Sequence, residues 1–279
     1  MATAAKIRRM MAEDVAQASE MMVQGEWGDR SAFLGWAVGE PTCHTFVAEA
    51  GGEVIGTGIA TAYGPVGWVG TIFVRTDRRG SGLGKSLTRV VIEDLERRGC
   101  RTLVLIATPA GRPIYERLGF AHDIPYLRVS APGLAADDVE AGVRPFVAAD
   151  LAGMIALDRA ATGGDRSAVL GSLASVESTR IAVSADGGVG GFLIRAPWGN
   201  AALIARDPDE AVRLLDWRRR RAGPEGHVTA GLLEANAAGR ARLAAEGWVE
   251  EGGAARMIRG EALDWRPDWI WGQFGGALG

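Results

Sequence analysis

A glycine-rich segment carries the most chemically specific pattern in this sequence. The segment Arg79–Lys85 places three glycines between two cations, and it follows an apolar run that ends at Val74. Glycines allow consecutive backbone N–H groups to turn toward one point without a clash from Cβ atoms. The first turn of a following helix adds partial positive charge to the two side-chain charges. This combination predicts a binding site for a diphosphate group.

Two common phosphate-binding motifs fit this segment poorly. A Walker loop requires a glycine five residues before Gly84, where this chain has Arg79, and no apolar strand ending in a magnesium-binding aspartate follows. The dinucleotide fingerprint G-x-G-x-x-G follows the first strand of its fold, whereas these glycines stand at alternate positions after the fourth predicted strand. Both motifs are therefore disfavoured.

Length and composition bound the class of protein. The chain has 279 residues, enough for one large domain or two ordinary ones, and it is 47% hydrophobic and 23% charged. These fractions are typical of a folded globular protein and exclude a disordered chain, collagen and a coiled coil. The net charge of −3 gives no overall attraction to nucleic acid or to an anionic membrane surface, so we expect neither as a partner.

The cysteine count and the N-terminal residues bear on the compartment. Cys43 and Cys100 are too few for a disulfide framework or a thiolate zinc site, and we predict no metal site. No uncharged apolar run approaches the ~18 residues of a membrane span, and residues 1–9 lack the pattern of an export signal. We therefore expect a protein of the reducing cytoplasm.

An internal repeat divides the chain. The segment Gly28–Gly35 matches Gly164–Gly171 with seven identities in eight positions, at an offset of 136 residues. Farther along, Gly111–Phe120 aligns with Gly239–Trp248 at an offset of 128 residues. A single long period that occurs twice indicates two copies of one domain rather than a solenoid.

We place the two copies over residues 1–131 and 138–260, followed by a tail over residues 261–279. The tail contains three tryptophans and Phe274. Such rings are too apolar to remain in water together, so we expect the tail to pack back on the fold.

Hydrophobic periodicity in the first copy predicts an α/β domain around a mixed sheet. Two glycines at 51 and 52 indicate a hairpin, and glycines at 99 and 119 end helices. We expect strands over residues 5–10, 44–50, 54–62, 67–74, 101–108 and 125–130, the last closing the domain, and helices over 14–22, 31–38, 85–98 and up to 118.

Together these features resemble the GCN5-related N-acetyltransferase (GNAT) family. The motif R-x-x-G-x-G is present as Arg79, Gly82 and Gly84, after the strand residues Ile72–Val74, and Tyr115–Phe120 follows about thirty residues downstream. The duplication resembles the tandem-domain members, here with a degenerate C-terminal copy. The resemblance implies two GNAT-like α/β (α+β) domains, each with a mixed, mostly antiparallel sheet flanked by helices.

The resemblance also implies a site for acetyl-CoA where the fourth and fifth strands separate. Backbone amides of the glycine segment would hold the pyrophosphate, and amides of the preceding strand would bind the pantetheine arm and polarise the thioester carbonyl. Thr108 stands where the family often has asparagine, and its hydroxyl can still contact the pantetheine arm. The implied coenzyme-binding residues are Ile72, Phe73, Val74, Arg79, Gly80, Ser81, Gly82, Leu83, Gly84, Lys85 and Thr108.

Tyr115 is the catalytic residue that the resemblance implies. It would donate a proton to the departing CoA sulfur while the amine attacks the thioester directly, without a covalent enzyme intermediate. A phenol is a weaker acid than a thiol, so transfer of its proton to the thiolate requires assistance. A dry cleft in which the thiolate develops its charge would give that assistance.

The acceptor side is less well defined. The strand before the glycine segment carries no carboxylate, so it supplies no direct base. Glu26, Trp27 and Asp29 lie between the first two helices, where family members form the acceptor wall, and they are candidate substrate-binding residues. For Asp29 a structural interpretation competes, because the repeat places Asp165 at the same position and a helix-capping role explains both.

The second copy lacks both parts of this chemistry. At the position of the glycine segment it has three carboxylates and Pro208, which has no N–H to donate. These residues form a favourable helix start, with Asp207 as N-cap and Pro208 at the first position. Leu243 stands where the first copy has Tyr115. We expect CoA to bind the first copy only.

A charged cluster surrounds two glycines in the second copy. It comprises Asp158, Arg159, Asp165 and Arg166. Two interpretations remain open for it, an ion-pair network at the interface between the copies and a wall of the acceptor site.

The first copy is thus predicted to be an acetyl-CoA-dependent N-acetyltransferase that acts on a primary amine. The alternative is a catalytically inactive sensor or scaffold that binds acyl-CoA. The acceptor is a small molecule or a peptide, and the chain is a monomer or a homodimer.

Overall fold

The computed structural model describes residues 5–135 and 142–279, and the start that we assigned to the second copy, residue 138, lies outside these ranges. The described strands are Lys6–Arg9 (β1), Cys43–Ala50 (β2), Glu53–Tyr63 (β3), Val66–Val74 (β4), Thr102–Ala107 (β5), Ala121–His122 (β6), Tyr126–Pro132 (β7), Val143–Pro145 (β8), Thr179–Val183 (β9), Val189–Arg195 (β10), Ala201–Ala205 (β11), His227–Leu233 (β12), Val249–Gly260 (β13) and Ile270–Gly272 (β14). The described helices are Val15–Gln24 (α1), Ser31–Gly39 (α2), Leu83–Arg97 (α3), Arg112–Glu116 (α4), Leu151–Thr162 (α5), Ser167–Leu173 (α6), Pro208–Ala222 (α7) and Ala237–Ala245 (α8).

The predicted α/β class is confirmed. Each strand and helix expected in the first copy is present within a few residues of its predicted bounds, and the second copy repeats the same order of elements. Among the described strands, β4 and β5 form the one parallel pair, and all other pairings are antiparallel. No helix in the described ranges has both the length and the apolar character needed to cross a membrane.

The repeat is visible in the geometry as well as in the sequence. Arg8 forms a bidentate ion pair with Asp14, at 2.7 and 2.8 Å, just before α1. Arg144 forms the same pair with Asp150 before α5, with both distances 2.7 Å. In both copies the aspartate also accepts the backbone N–H three residues earlier, so one side chain fixes the turn between strand and helix.

The closing strands of the two copies are exchanged. The larger sheet has the order β1-β2-β3-β4-β5-β13-β7-β12, with β6 paired to β13. The expected closing strand, β7, does form, but the prediction that it completes the sheet of its own copy was wrong. It pairs with β12 and β13 of the second copy, and β13 takes the place beside β5. Each half of the chain therefore supplies a strand to the other.

The tail fills a gap in the second copy. Its strand β14 pairs with β11, opposite Leu203 and Ile204, and also packs against β12. In the first copy, β4 and β5 correspond to β11 and β12. Beyond the short stretch where β4 and β5 pair, no described strand lies between them. Trp271 and Phe274, each 1% exposed, anchor the tail in the two hydrophobic cores that it joins.

The first five strands separate two hydrophobic cores. On one face, α3 contributes Leu87, Val91 and Leu95, and we call this the α3 face. On the opposite face, Leu34 of α2 shares a core with Phe192 of the second copy, and we call this the α1–α2 face. The second copy is thus packed directly on one side of the sheet that carries the glycine segment.

The charged cluster of the second copy lies at this interface. Arg166 and Asp158 form a buried ion pair, 2% and 1% exposed, with the closest N–O distance at 2.5 Å. The Arg166 guanidinium also donates to the carbonyl of Gly279 at 2.7 Å, which ties the tail to α6. Arg159 and Asp165 form a second pair at 2.7 Å that is largely exposed. Of the two interpretations, the ion-pair network at the interface between the copies is the one that fits this cluster.

We expect Arg166→Met to lower the free energy of unfolding by about 3–5 kcal/mol, because it leaves the carboxylate of Asp158 buried without its partner. Arg159→Met is the matched control, since the same substitution at the exposed pair should change stability by less than about 1 kcal/mol. Urea unfolding followed by tryptophan fluorescence would measure both. Equal losses in the two variants would contradict this account.

Candidate active site

The site is built where β4 and β5 part. The two strands pair in parallel from Val66 opposite Thr102 to Trp68 opposite Val104, and they diverge beyond that point. A cavity of about 810 Å³ opens between the diverging ends and is lined by β4 from Val69 to Val74. It exposes backbone groups that a neighbouring strand would otherwise bind.

A β-bulge shapes the β4 side of this cavity. Thr71 and Ile72 together oppose the single residue Gly58 of β3, and Thr71 has a φ of 52°. The hydroxyl of Thr57 donates to the Thr71 carbonyl at 2.9 Å and holds this conformation. The extra residue turns Phe73 toward the α1–α2 face, and a bulge leaves backbone groups outside the ladder, free to bind a ligand.

The glycine segment forms an open turn before α3. Gly80 and Gly82 have φ of 78° and 83°, and a Cβ atom at either position would meet nothing within 4 Å. Arg79 braces the turn, because its Nε donates to the Val74 carbonyl at 3.1 Å while its guanidinium lies 5.5 Å from the centre of the Phe73 ring. An uncovered turn of this kind at a helix N-terminus fits the diphosphate of a coenzyme A molecule.

The electrostatic character of the cavity is uniformly positive. No Asp, Glu or His side chain of the described residues lines it. The lining cations are Arg30, Arg78, Arg79, Lys85 and Arg117. This charge fits an anionic ligand such as CoA, and it means that the lining supplies no side-chain base for an acceptor ammonium. No group of three or more His, Cys, Asp or Glu among the described residues is arranged to hold a metal ion.

Tyr115 lies on α4 and lines the same cavity. Its side chain is 9% exposed, and burial raises the pKa of its phenol to about 12, so the hydroxyl stays protonated at neutral pH. Among the described residues none forms a hydrogen bond with this hydroxyl, which leaves it available to a ligand. A Cβ atom at Gly111 would lie 2.9 Å from the ring, so the packing of the tyrosine favours glycine at this position.

The structure brings together most of the residues that the sequence indicated. Those that line the cavity are Trp27, Ile72, Phe73, Val74, Arg79, Gly80, Gly82, Leu83, Gly84, Lys85, Thr108 and Tyr115. Ser81 does not line it, because its hydroxyl donates to the Arg78 carbonyl at 2.7 Å. Glu26 and Asp29 also lie outside the lining.

Asp29 has a structural role. One of its carboxylate oxygens accepts the Ser31 N–H at 2.8 Å and the Ser19 hydroxyl at 2.7 Å, and these bonds lower its pKa to about 2. Asp165 accepts the Ser167 N–H in the same way at 3.2 Å. The turn before the second helix of each copy is therefore held by the same aspartate.

Several lining residues were missed by the sequence analysis. Arg30 follows Asp29 directly, Trp198 and Asn200 come from the second copy, and Phe274–Leu278 from the tail. The tail lies against β4 because Gly70 has no Cβ atom that would overlap Ala277, and Thr61 donates to the Ala277 carbonyl at 2.8 Å. The accumulation of tryptophans late in the chain was the one sequence signal for this contribution.

In the described part of the second copy, the positions equivalent to the glycine turn, the tyrosine and the gap between the strands are occupied differently. Asp207 caps α7 by accepting the Asp209 N–H at 2.7 Å, and Pro208 is the first helical residue, as predicted. Leu243 is buried in the core, 1% exposed. The tail strand β14 lies on β11 where the first copy has its cavity.

Comparisons with known proteins agree with this geometry. The model of the acetyltransferase (GNAT) family matches residues 9–120. Two curated proteins named mycothiol acetyltransferase, from Streptomyces avermitilis and Streptomyces coelicolor, are 40% identical over 82 residues and 38% identical over 80 residues. Each alignment covers 27% of this chain and 26% of the relative, so the match spans about a quarter of those proteins.

Two solved structures share the fold over more than nine-tenths of this chain. A putative acetyltransferase from Pyrococcus horikoshii has a TM-score of 0.82 at 20% identity, over 99% of this chain and 96% of that chain. A tandem GNAT protein from the clavulanic acid biosynthesis pathway has a TM-score of 0.63 at 16% identity, over 92% and 98%. At these identities the likeness shows the fold alone.

We expect Gly82→Ala to weaken CoA binding by about tenfold. A side chain disfavours the left-handed backbone by about 1–2 kcal/mol, and relieving that strain would displace the amides of the turn. Gly99→Ala is the control. Gly99 also has a left-handed backbone, with a φ of 84°, but it follows the C-terminal end of α3 and lies outside the cavity. Calorimetric titration with CoA should show weaker binding for the first variant only, although both should melt at lower temperature. Equal affinity in the two variants would exclude the glycine turn from the coenzyme site.

Proposed function

Residues 9–120 belong to the acetyltransferase (GNAT) family, and from this premise we propose that the chain transfers an acetyl group from acetyl-CoA to a primary amine. We propose further that the first copy, which we assign to residues 1–131 with β13 completing its sheet, is the active one. The copy over residues 138–260 and the tail would then act as structural partners that complete the site.

One observation carries this proposal. A single continuous cavity joins the glycine turn, the bulged strand β4 and the protonated phenol of Tyr115. These are the groups that must meet if a diphosphate is held at one end while a thiolate leaves at the other. The second copy offers none of the three, because its turn is a capped helix start, Leu243 replaces the tyrosine and β14 lies in the gap.

The chain's own residues would perform three tasks. Backbone amides of Gly80–Lys85 bind the diphosphate, assisted by the positive charge of Arg79 and Lys85. Backbone groups at the bulge of β4 orient the donor and stabilise negative charge on its carbonyl oxygen. Bound acetyl-CoA supplies the thioester, and Tyr115 donates its proton to the departing sulfur.

The acceptor must be deprotonated without a side-chain base from the lining. The cations around the cavity lower the pKa of a nearby ammonium, because a like charge disfavours the protonated form. Loss of the proton to water is then sufficient, and this agrees with direct attack by the amine. Because the two cysteines are buried and unpaired, we propose that the reaction takes place in the reducing cytoplasm.

The matched part of the mycothiol acetyltransferases supports acetyl transfer as the reaction class. Because each match covers 26% of the relative, the acceptor of those proteins is not carried over to this chain. The residues that line the cavity on the α1–α2 face bear on the acceptor instead.

We expect Tyr115→Phe to lower kcat by about 100-fold or more while leaving the CoA affinity unchanged, because the proton donor is lost and the ring remains. Tyr126→Phe is the control, since the Tyr126 hydroxyl donates to the Gly231 carbonyl at 3.2 Å, outside the cavity. A thiol-release assay with acetyl-CoA and a panel of amines would measure both. Equal rates for all three proteins would remove Tyr115 from the mechanism. Binding of CoA without turnover of any amine would instead favour an acyl-CoA sensor.

A further inference from the structure

The cavity passes through the sheet, and its two ends face different chemistry. The glycine turn begins α3, and Tyr115 packs in the core of the α3 face. The opposite end opens on the α1–α2 face, where Trp27 and Phe33 line it together with Trp198 and the tail. A donor held by the glycine turn would therefore meet an acceptor that enters from the α1–α2 face.

The α1–α2 end is mainly aromatic. Phe33 and Trp198 pack edge to face with ring centres 5.2 Å apart, and Trp27 packs on Phe73 in the same manner at 5.0 Å. Trp198 donates its indole N–H to the Phe274 carbonyl at 2.9 Å, so its polar group is already satisfied. Rings held in this way present apolar surface to a ligand.

Arg30, just before α2, is the charged lining residue that the segment between α1 and α2 contributes, whereas Arg79 lies over Phe73 from the glycine turn. The Arg30 guanidinium forms no hydrogen bond or ion pair with any other described residue. The repeat explains why. The equivalent residue of the second copy, Arg166, pairs with Asp158, whereas the position equivalent to Asp158 is Met22 in the first copy.

The second copy also shows what an arginine at this position binds. The Arg166 guanidinium holds a carboxylate on one side and the carbonyl oxygens of Leu278 and Gly279 on the other. The backbone leading into α6 and α2 is alike in the two copies, with the preceding aspartate bonded to the following serine N–H in each. Arg30 is thus held in the same local frame as Arg166, but it lacks the carboxylate partner and lines the cavity.

We propose that the acceptor is an amine that also carries a carboxylate and an apolar side chain, the chemistry of a hydrophobic amino acid. Arg30 binds the carboxylate, and the rings of Trp27, Phe33 and Trp198 bind the side chain. This inference rests on the proposed acetyl transfer and specifies its substrate class. Polyamines and aminoglycosides are disfavoured, because their additional cations would meet Arg30 and no carboxylate in the cavity lining.

Four amines test this class: L-phenylalanine, L-phenylalaninamide without the carboxylate charge, 2-phenylethylamine without the carboxyl group, and spermidine without ring or carboxylate but with additional cations. The CoA-saturated protein is titrated with each amine by calorimetry, and turnover is measured separately by thiol release. We expect the wild-type protein to bind phenylalanine at least about tenfold more tightly than its amide, as is typical of a charge-assisted hydrogen bond.

Arg30→Met should abolish the preference for the carboxylate, and Arg30→Lys should retain part of it because the charge remains. Arg89→Met, at an exposed position of α3 outside the cavity, is the control and should keep the wild-type preference. A circular dichroism spectrum and a melting temperature equal to those of the wild-type protein show that Arg30→Met is folded.

Tighter binding of spermidine or of the amide by the wild-type protein, or a full carboxylate preference in Arg30→Met, would overturn this inference. Turnover of the amide with no preference would refute the substrate class and leave acetyl transfer standing. Binding of phenylalanine through Arg30 without turnover would refute the transferase and leave the carboxylate site standing.

Discussion

The parting of β4 and β5 is the constraint on which the rest of this structure depends. Parallel strands that stop pairing after Trp68 and Val104 leave a row of backbone groups without a partner strand. Such groups must be satisfied by something, because buried unpaired amides and carbonyls are costly. In the first copy the opening is a cavity with glycines and cations at one end and aromatic rings at the other. In the second copy β14 lies on β11 and satisfies the equivalent strand from within the chain.

This difference assigns complementary roles to two related halves. The copy whose gap is filled contributes Trp198 and Asn200 to the cavity of the other copy, together with residues of the tail. The exchange of β7 and β13 combines strands of both copies in the larger sheet, so neither half has a complete sheet of its own. The buried pair of Arg166 and Asp158 fixes the tail at the same interface. In the described part of the second copy, the absence of the glycine turn and of the tyrosine therefore accompanies a structural contribution to the cavity of the first.

Much of the fold could be predicted from the sequence because its signals are local. The glycine turn, the helix stops at Gly99 and Gly119, and the capped start of α7 all depend on neighbouring residues, and each lies where it was expected. The partner of β7 could not be predicted, because both copies contain an equivalent closing strand and hydrophobic periodicity does not specify which copy it joins. The bulge at Thr71 was missed for a similar reason, since its strained backbone is held by Thr57 from another strand.

The candidate site divides in the same way. Residues tied to a motif, namely Ile72–Val74, Arg79–Lys85 and Tyr115, could be found from spacing, although Ser81 turns away from the cavity. The acceptor end is assembled from three separate parts of the chain, so proximity in sequence suggested Glu26 and Asp29 and overlooked Trp198. Arg30 was hidden within a repeated motif, and only the comparison of its partners in the two copies shows that its charge is uncompensated.

The most direct measurement of the central claim is a crystal structure of the full chain grown with CoA. We predict one molecule per chain, lying between β4 and β5, with its diphosphate on the amides of residues 80–85 and its sulfur near the Tyr115 hydroxyl. A coenzyme bound between β11 and β12 with β14 displaced, or bound away from the glycine turn, would contradict this account.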